Sequence, residues 1–161
     1  MATWAAIQQE VPELVARVRN VFDAYKHKTL ATVRADGAPR ISGTEVDFRD
    51  DDAWMGSMWQ ALKARDLQRD PRFAIHSATI DPDLVDGDAK IAGRAIEMDD
   101  DVKQAWIAGY SEDVGQDPPE PMHLFRLDIT EMVLTTIGDP ADHLLIESWH
   151  EGRGYRRTER K

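Results

Sequence analysis

The stretch Met55-Gly-Ser-Met-Trp-Gln-Ala-Leu-Lys63-Ala-Arg65 holds the residues best suited to chemistry. A strand ending at Gly56-Ser57 and a helix opening near Lys63 bring backbone N–H groups, one hydroxyl and one ammonium to a common place. That is the donor set of a phosphate cradle: helix N-terminal amides favour an anion, and lysine adds a compact point charge. Arg40, at the start of the preceding strand, adds a bidentate donor within reach of the same phosphate. The alternative for these residues is a surface loop followed by an ordinary amphipathic helix.

Other familiar signatures are missing. No G-x-G-x-x-G follows a strand, and neither a Walker phosphate loop nor H-E-x-x-H occurs. The five histidines contain no i, i+4 pair and read as surface or strand residues. Asp81-Pro-Asp83-Leu-Val-Asp86-Gly87-Asp88 has the outline of a calcium loop, but its third carboxylate and its glycine fall one position late. Ala92 also stands where a bidentate Glu is needed, so the segment reads as a solvated turn and no metal site is expected. No dyad or triad marks a catalytic acid, base or nucleophile.

Thirty acidic residues against twenty basic ones give a formal charge of −10. Nucleic-acid binding depends on neutralising phosphates with Lys and Arg, so that partner class is not expected. The positive charge is uneven: Arg153, Arg156, Arg157, Arg160 and Lys161 crowd the last nine positions. They read either as a frayed, solvated tail or as a local patch that meets an anionic cofactor or substrate. The absence of cysteine removes disulfides, thiolate metal sites and a cysteine nucleophile. No run approaches the roughly 18 apolar residues of a membrane span, and MATWAAIQQEVPEL lacks the order of a signal peptide. A cytoplasmic protein with no membrane partner is expected.

The elements that must position the cradle can be read from periodicity. Thr3 caps a first turn, and Pro12 opens a helix over 12–25 whose Leu14, Val15, Val18, Val21, Phe22 and Tyr25 share one face. Short β-branched runs predict strands over 29–34, 40–48 and 53–58. A helix over 60–69 ends at Asp70-Pro71, because the residue before proline avoids helical geometry. Strands follow over 73–77 and 89–98, separated by a polar loop over 80–88, and then a helix over 102–109. A proline-rich loop over 110–122 is either a lid or an idle surface loop. A last hairpin spans 123–135 and 144–149 around Gly138-Asp139-Pro140. The whole chain, 1–161, reads as one domain, with an N-terminal helical segment over 1–26 and a basic tail over 150–161. Strands joined mostly as hairpins predict a mainly β protein, a small antiparallel barrel with short helices, although strand order alone does not separate a barrel from a sandwich.

The order Arg40-Ile41-Ser42-Gly43-Thr-Glu-Val, then Gly56-Ser57, then Lys63-Ala with Asp-Pro71-Arg eight residues on, resembles the pyridoxamine 5′-phosphate oxidase-like, FMN-binding split-barrel family. Lys90-Ile-Ala-Gly93-Arg-Ala and Phe125-Arg-Leu-Asp-Ile-Thr-Glu-Met-Val add to the likeness, which covers most of 27–157. The resemblance implies a six-stranded antiparallel split β-barrel with flanking helices, and a homodimer with cofactor in its interface. It implies that the strand from Arg40 through Ile41, Ser42 and Gly43 runs along a flavin, whose phosphate is held by Ser57, Lys63 and Arg40 beside Gly56. Trp149 and Arg153 would lie near the ring and substrate. Leu62 stands where pyridoxamine oxidases carry Arg, Asp88 where they carry Gln, and the C-terminal signature is partial. The expected protein is therefore an FMN-dependent oxidoreductase for a small organic substrate other than pyridoxine phosphate. Alternatives of the same fold are a reductase using the deazaflavin coenzyme F-420, or a flavin- or haem-binding protein without turnover.

Overall fold

The structure, a computed structural model, describes residues 2–161 apart from 80 and 82. The expected loop and the calcium-like segment therefore lie partly outside the described residues.

Two helices open the chain: α1 (Trp4–Glu10), capped by the Thr3 hydroxyl, and α2 (Pro12–Asp23), with proline in its first turn. Then come β1 (Lys28–Val33), β2 (Pro39–Thr44), β3 (Asp47–Arg49), β4 (Asp52–Met58) and α3 (Leu62–Arg69). The rest is β5 (Arg72–His76), β6 (Asp88–Glu97), α4 (Asp100–Val114), β7 (Met122–Ile137), β8 (Leu144–His150) and β9 (Gly154–Arg160).

All pairings are antiparallel, in the order β2-β1-β5-β6-β7-β4-β3, with β8 and β9 added along β7. Strands β2, β1, β5, β6, β7 and β4 form the expected six-stranded split barrel. β2 comes back against β4 without a ladder between them, and that gap is the split. β7 can serve three neighbours because it is long. Its first residues pair with β4, its last with β8, and β6 runs along the other edge. The two ladders on β6 and β7 are offset at Ala92/Gly93, where Thr130 is the extra residue. Such a bulge bends a strand and increases its twist, which helps a sheet to close.

One apolar cluster joins the barrel to the first two helices, through Trp4, Ile7, Val18 and Phe22 on one side and Leu30, Ile91, Phe125 and Leu127 on the other. The buried stripe of α2, Leu14, Val15, Val18, Val21 and Phe22, follows its periodicity, but the helix ends at Asp23 and Tyr25, expected on the same face, is exposed. Each buried side chain contributes about 1.5–3 kcal/mol through burial, which docks a helix too short to be stable alone.

Four features depart from the sequence reading. The expected strand over 40–48 is two strands, because the chain leaves the β1 ladder after Thr44 and joins β4 at Asp47. The second helix of the later half runs to Val114; Gly109 is inside it, and Gly115, with φ of 78°, is its C-terminal stop. Among the described residues the strands number nine, because β3 and β9 are not separately expected. The basic tail is not frayed: Gly154–Arg160 pairs with β8 along its length, after a turn with left-handed Gly152 and Gly154. Tyr155 donates to Glu147 at 2.8 Å, and the same carboxylate takes Arg17 of α2, so the hairpin is fastened to the helical cap.

Candidate functional site

At the split, a cavity of about 620 Å3 opens between the end of β2 and β4. α3 supplies one wall through Lys63, and α4 with Gln116–Pro119 forms the other. Gly43, Gly56, Ser57 and Lys63, four of the residues expected to hold a cofactor, line this one space.

Lys63 comes off the first turn of α3 and donates to the Gly43 carbonyl at 2.7 Å. Burial pushes its ammonium below the ordinary lysine value, and the Glu45 carboxylate offsets this only in part. Ser57 is buried, and its hydroxyl has no partner. Trp106, on α4, also lines the cavity with an unpartnered indole N–H. Buried donors without acceptors cost roughly 1–3 kcal/mol each, so a ligand rich in acceptor oxygens gains by meeting them. Gly43 has open space where a Cβ would stand, which leaves its strand edge free for close approach. The donor set, the glycine edge and the part-desolvated ammonium fit a phosphate-bearing cofactor.

The other expected residues lie elsewhere in the protomer. Arg40 is turned towards α3, where its Nε donates to Asp66 at 2.6 Å. Asp66 also accepts from Thr32 at 2.9 Å and from Arg69 at 3.1 Å. Arg40 therefore anchors the helix that carries Lys63 and does not line the cavity. Ser42 is half-buried, and Ile41 is exposed at 74% on the outer face. Trp149 is buried in the main core, paired across the ladder with Met132 and Tyr155. Arg153 borders a separate groove of about 560 Å3 on the β8–β9 hairpin, with Arg156 and Arg160.

The far wall draws on the 110–122 segment offered above as a lid, together with Trp106, which sequence reasoning missed. Trp106 and Tyr110 stack with ring centroids 5.0 Å apart, and Pro118 and Pro119 extend that wall. A tryptophan and a tyrosine four apart on a helix give a detectable shared face, but nothing local says which sheet it covers.

The fold and site together define a split β-barrel with a donor-lined cavity at its split. The family model for pyridoxamine 5′-phosphate oxidase matches residues 14–136, and the chain belongs to that family. No curated protein matches the chain. Among solved structures, a pyridoxamine 5′-phosphate oxidase-related, FMN-binding protein from Nostoc punctiforme superposes with a TM-score of 0.61 at 18% identity, over 100% of this chain and 98% of that one. HutZ, the haem-storage protein of Vibrio cholerae, has a TM-score of 0.58 at 20% identity, over 72% and 89%. An F-420 reductase has a TM-score of 0.52 at 20% identity, over 66% and 87%. At these identities the likeness is one of fold. No helix among the described residues is long and apolar enough to cross a membrane.

Proposed function

We propose that the protein is a cytoplasmic, FMN-dependent oxidoreductase that acts on a small organic substrate as a homodimer. The observation that carries this reading is Lys63, part-desolvated at the cavity wall beside the unpartnered Ser57 hydroxyl. A single phosphate suits that pair, which is why FMN is preferred. A bound flavin supplies hydride and electron transfer itself. The chain's residues bind and orient: Lys63 and Ser57 anchor the phosphate, the open Gly43 edge allows close approach, and Trp106 with Tyr110 excludes water.

A second reading, binding of the deazaflavin coenzyme F-420, is favoured by the arginine-lined groove on β8–β9. Its longer anionic tail needs more positive charge than one lysine provides. The visible spectrum of freshly purified protein, followed by titration with FMN and separately with coenzyme F-420, decides between them. FMN is expected to bind tightly, and Lys63→Ala to weaken it about ten-fold or more, as loss of a charge-assisted contact implies. Protein that takes up neither cofactor defeats the proposal. Binding without reduction by a donor and reoxidation by an acceptor leaves a non-catalytic flavin carrier.

A further inference from the structure

The turn from β4 into α3 passes through Gln60, whose φ is 60°. A residue other than glycine is disfavoured in that conformation and persists there only where neighbours fix it. The neighbour is His123 of β7, buried at 5% exposure. The Gln60 backbone N–H donates to His123 Nε2 at 3.1 Å, and the Trp59 indole stacks on the imidazole with centroids 4.6 Å apart. Since Nε2 accepts, the ring proton sits on Nδ1, which donates to Glu97 Oε1 of β6 at 2.6 Å. The other Glu97 oxygen takes Gln68 of α3 at 2.9 Å, and the Gln60 side chain takes Arg65 of the same helix. Turn, imidazole, carboxylate and helix thus form a closed loop of hydrogen bonds around the residues that bring Lys63 to the cavity. Ser57, the cradle hydroxyl, stands directly across the ladder from His123.

We propose that His123, oriented by Glu97, is a positioning residue for the cavity: its neutral Nδ1–H form holds the β4–α3 turn and so sets Lys63 and Ser57 for the cofactor. This rests on the cofactor reading above. The groups that face the ring are Glu97 from β6, the Trp59–Gln60 turn, Ser57 from β4 and Phe125 on β7, with Arg65 of α3 reached through Gln60. Among them the imidazole Nε2 is the acceptor that meets the Gln60 N–H, so a side chain without an acceptor at that place frees the turn.

The test uses the full chain, labelled with 15N, at neutral pH. Imidazole 15N–1H correlations are expected to show the Nδ1–H form. Amide exchange at Gln60 is expected to quicken about ten-fold or more in His123→Ala, and FMN affinity to fall by a similar factor. His123→Gln, whose amide oxygen accepts from Gln60, should restore both the slow exchange and the affinity. A His123→Gln variant no better than His123→Ala would overturn the inference, as would Gln60 exchange indifferent to His123→Ala in a variant that keeps the wild-type circular dichroism. Failure of the wild type to bind FMN defeats the flavin reading instead, and the exchange measurement still decides whether His123 holds the turn.

Discussion

A glycine on β6 shows how little freedom single residues have at the barrel's tightest bend. A Cβ built on Gly93 lies 2.0 Å from the Asp128 carbonyl oxygen and 2.9 Å from the Ile129 Cα. Both are backbone atoms of the paired strand, so no side-chain rotation can relieve the contact. Gly93 sits at the offset between the two ladders, and Thr130, the extra residue, donates its hydroxyl to the Ala92 carbonyl at 3.3 Å. Gly93→Ala is expected to lower unfolding free energy by about 3 kcal/mol, the upper end for overpacking, in urea titration. Gly43 offers the opposite case, since nothing lies within 4 Å of its would-be Cβ. Gly43→Val should leave the melting temperature within a few degrees of wild type and weaken FMN binding, because the space it fills belongs to the ligand. Loss of folding in that variant would show that the glycine is structural.

The elements reveal which parts of the site the sequence could disclose. Gly56, Ser57 and Lys63 lie on one strand–turn–helix unit, so their convergence was legible from local order alone. Gly43 carried no local signal of its own and entered only through the family resemblance; it is the fold that brings it to the cavity wall. Arg40 does not line the cavity because Asp66, three residues after Lys63, takes its guanidinium, and no local signal ranks a phosphate above a carboxylate. Trp149 lies in the core, since an aromatic residue on a short strand serves the core as readily as a ring-stacking site. β9 was illegible since Tyr, Arg, Thr and Glu alternate there without an apolar face, and only pairing to β8 makes it a strand. The Asp66 knot gives a measurable consequence. Burial alone would raise this carboxyl, but hydrogen bonds from Arg40, Thr32 and Arg69 outweigh it and hold it below the ordinary range. A value lowered on folding adds stability that is complete above about pH 4 and disappears as the pH falls through the native value. Asp66→Asn should therefore cost on the order of 3 kcal/mol at pH 7, as breaking a buried pair does. The gap to wild type should close in acid. Urea unfolding at neutral and acid pH measures it, and a gap that persists undiminished would show that the carboxylate charge is not what ties α3 down.

At the scale of the whole molecule, the cavity stands at an unfinished surface. β2 ends the order of paired strands, and among the described residues its free edge carries no partner strand. Exposed edges of this kind invite another chain. Met58, which lines the cavity, is 73% exposed, and Ile41 at 74%, Leu62 at 58% and Trp59 at 52% are exposed as well. Scattered apolar residues are ordinary on a surface, but these lie in the chain within two residues of the lining residues Gly43, Met58 and Lys63. A stable dimer hides about 800 Å2 per partner, a small share of the 9180 Å2 the protomer exposes. Closing this region with a second copy would also enclose the cofactor, so assembly and binding should fail together. Ile41→Glu places a charge on the outer face without touching the core, and each protomer already carries a formal charge of −10. The wild type is expected to sediment as a dimer at micromolar concentration, and Ile41→Glu as a folded monomer with FMN affinity reduced about ten-fold or more. A monomeric wild type that still binds FMN tightly would separate the two properties and leave the cavity complete within one chain. A dimer untouched by Ile41→Glu would move the interface to another face, for which the arginine-bordered β8–β9 hairpin is the next surface to alter.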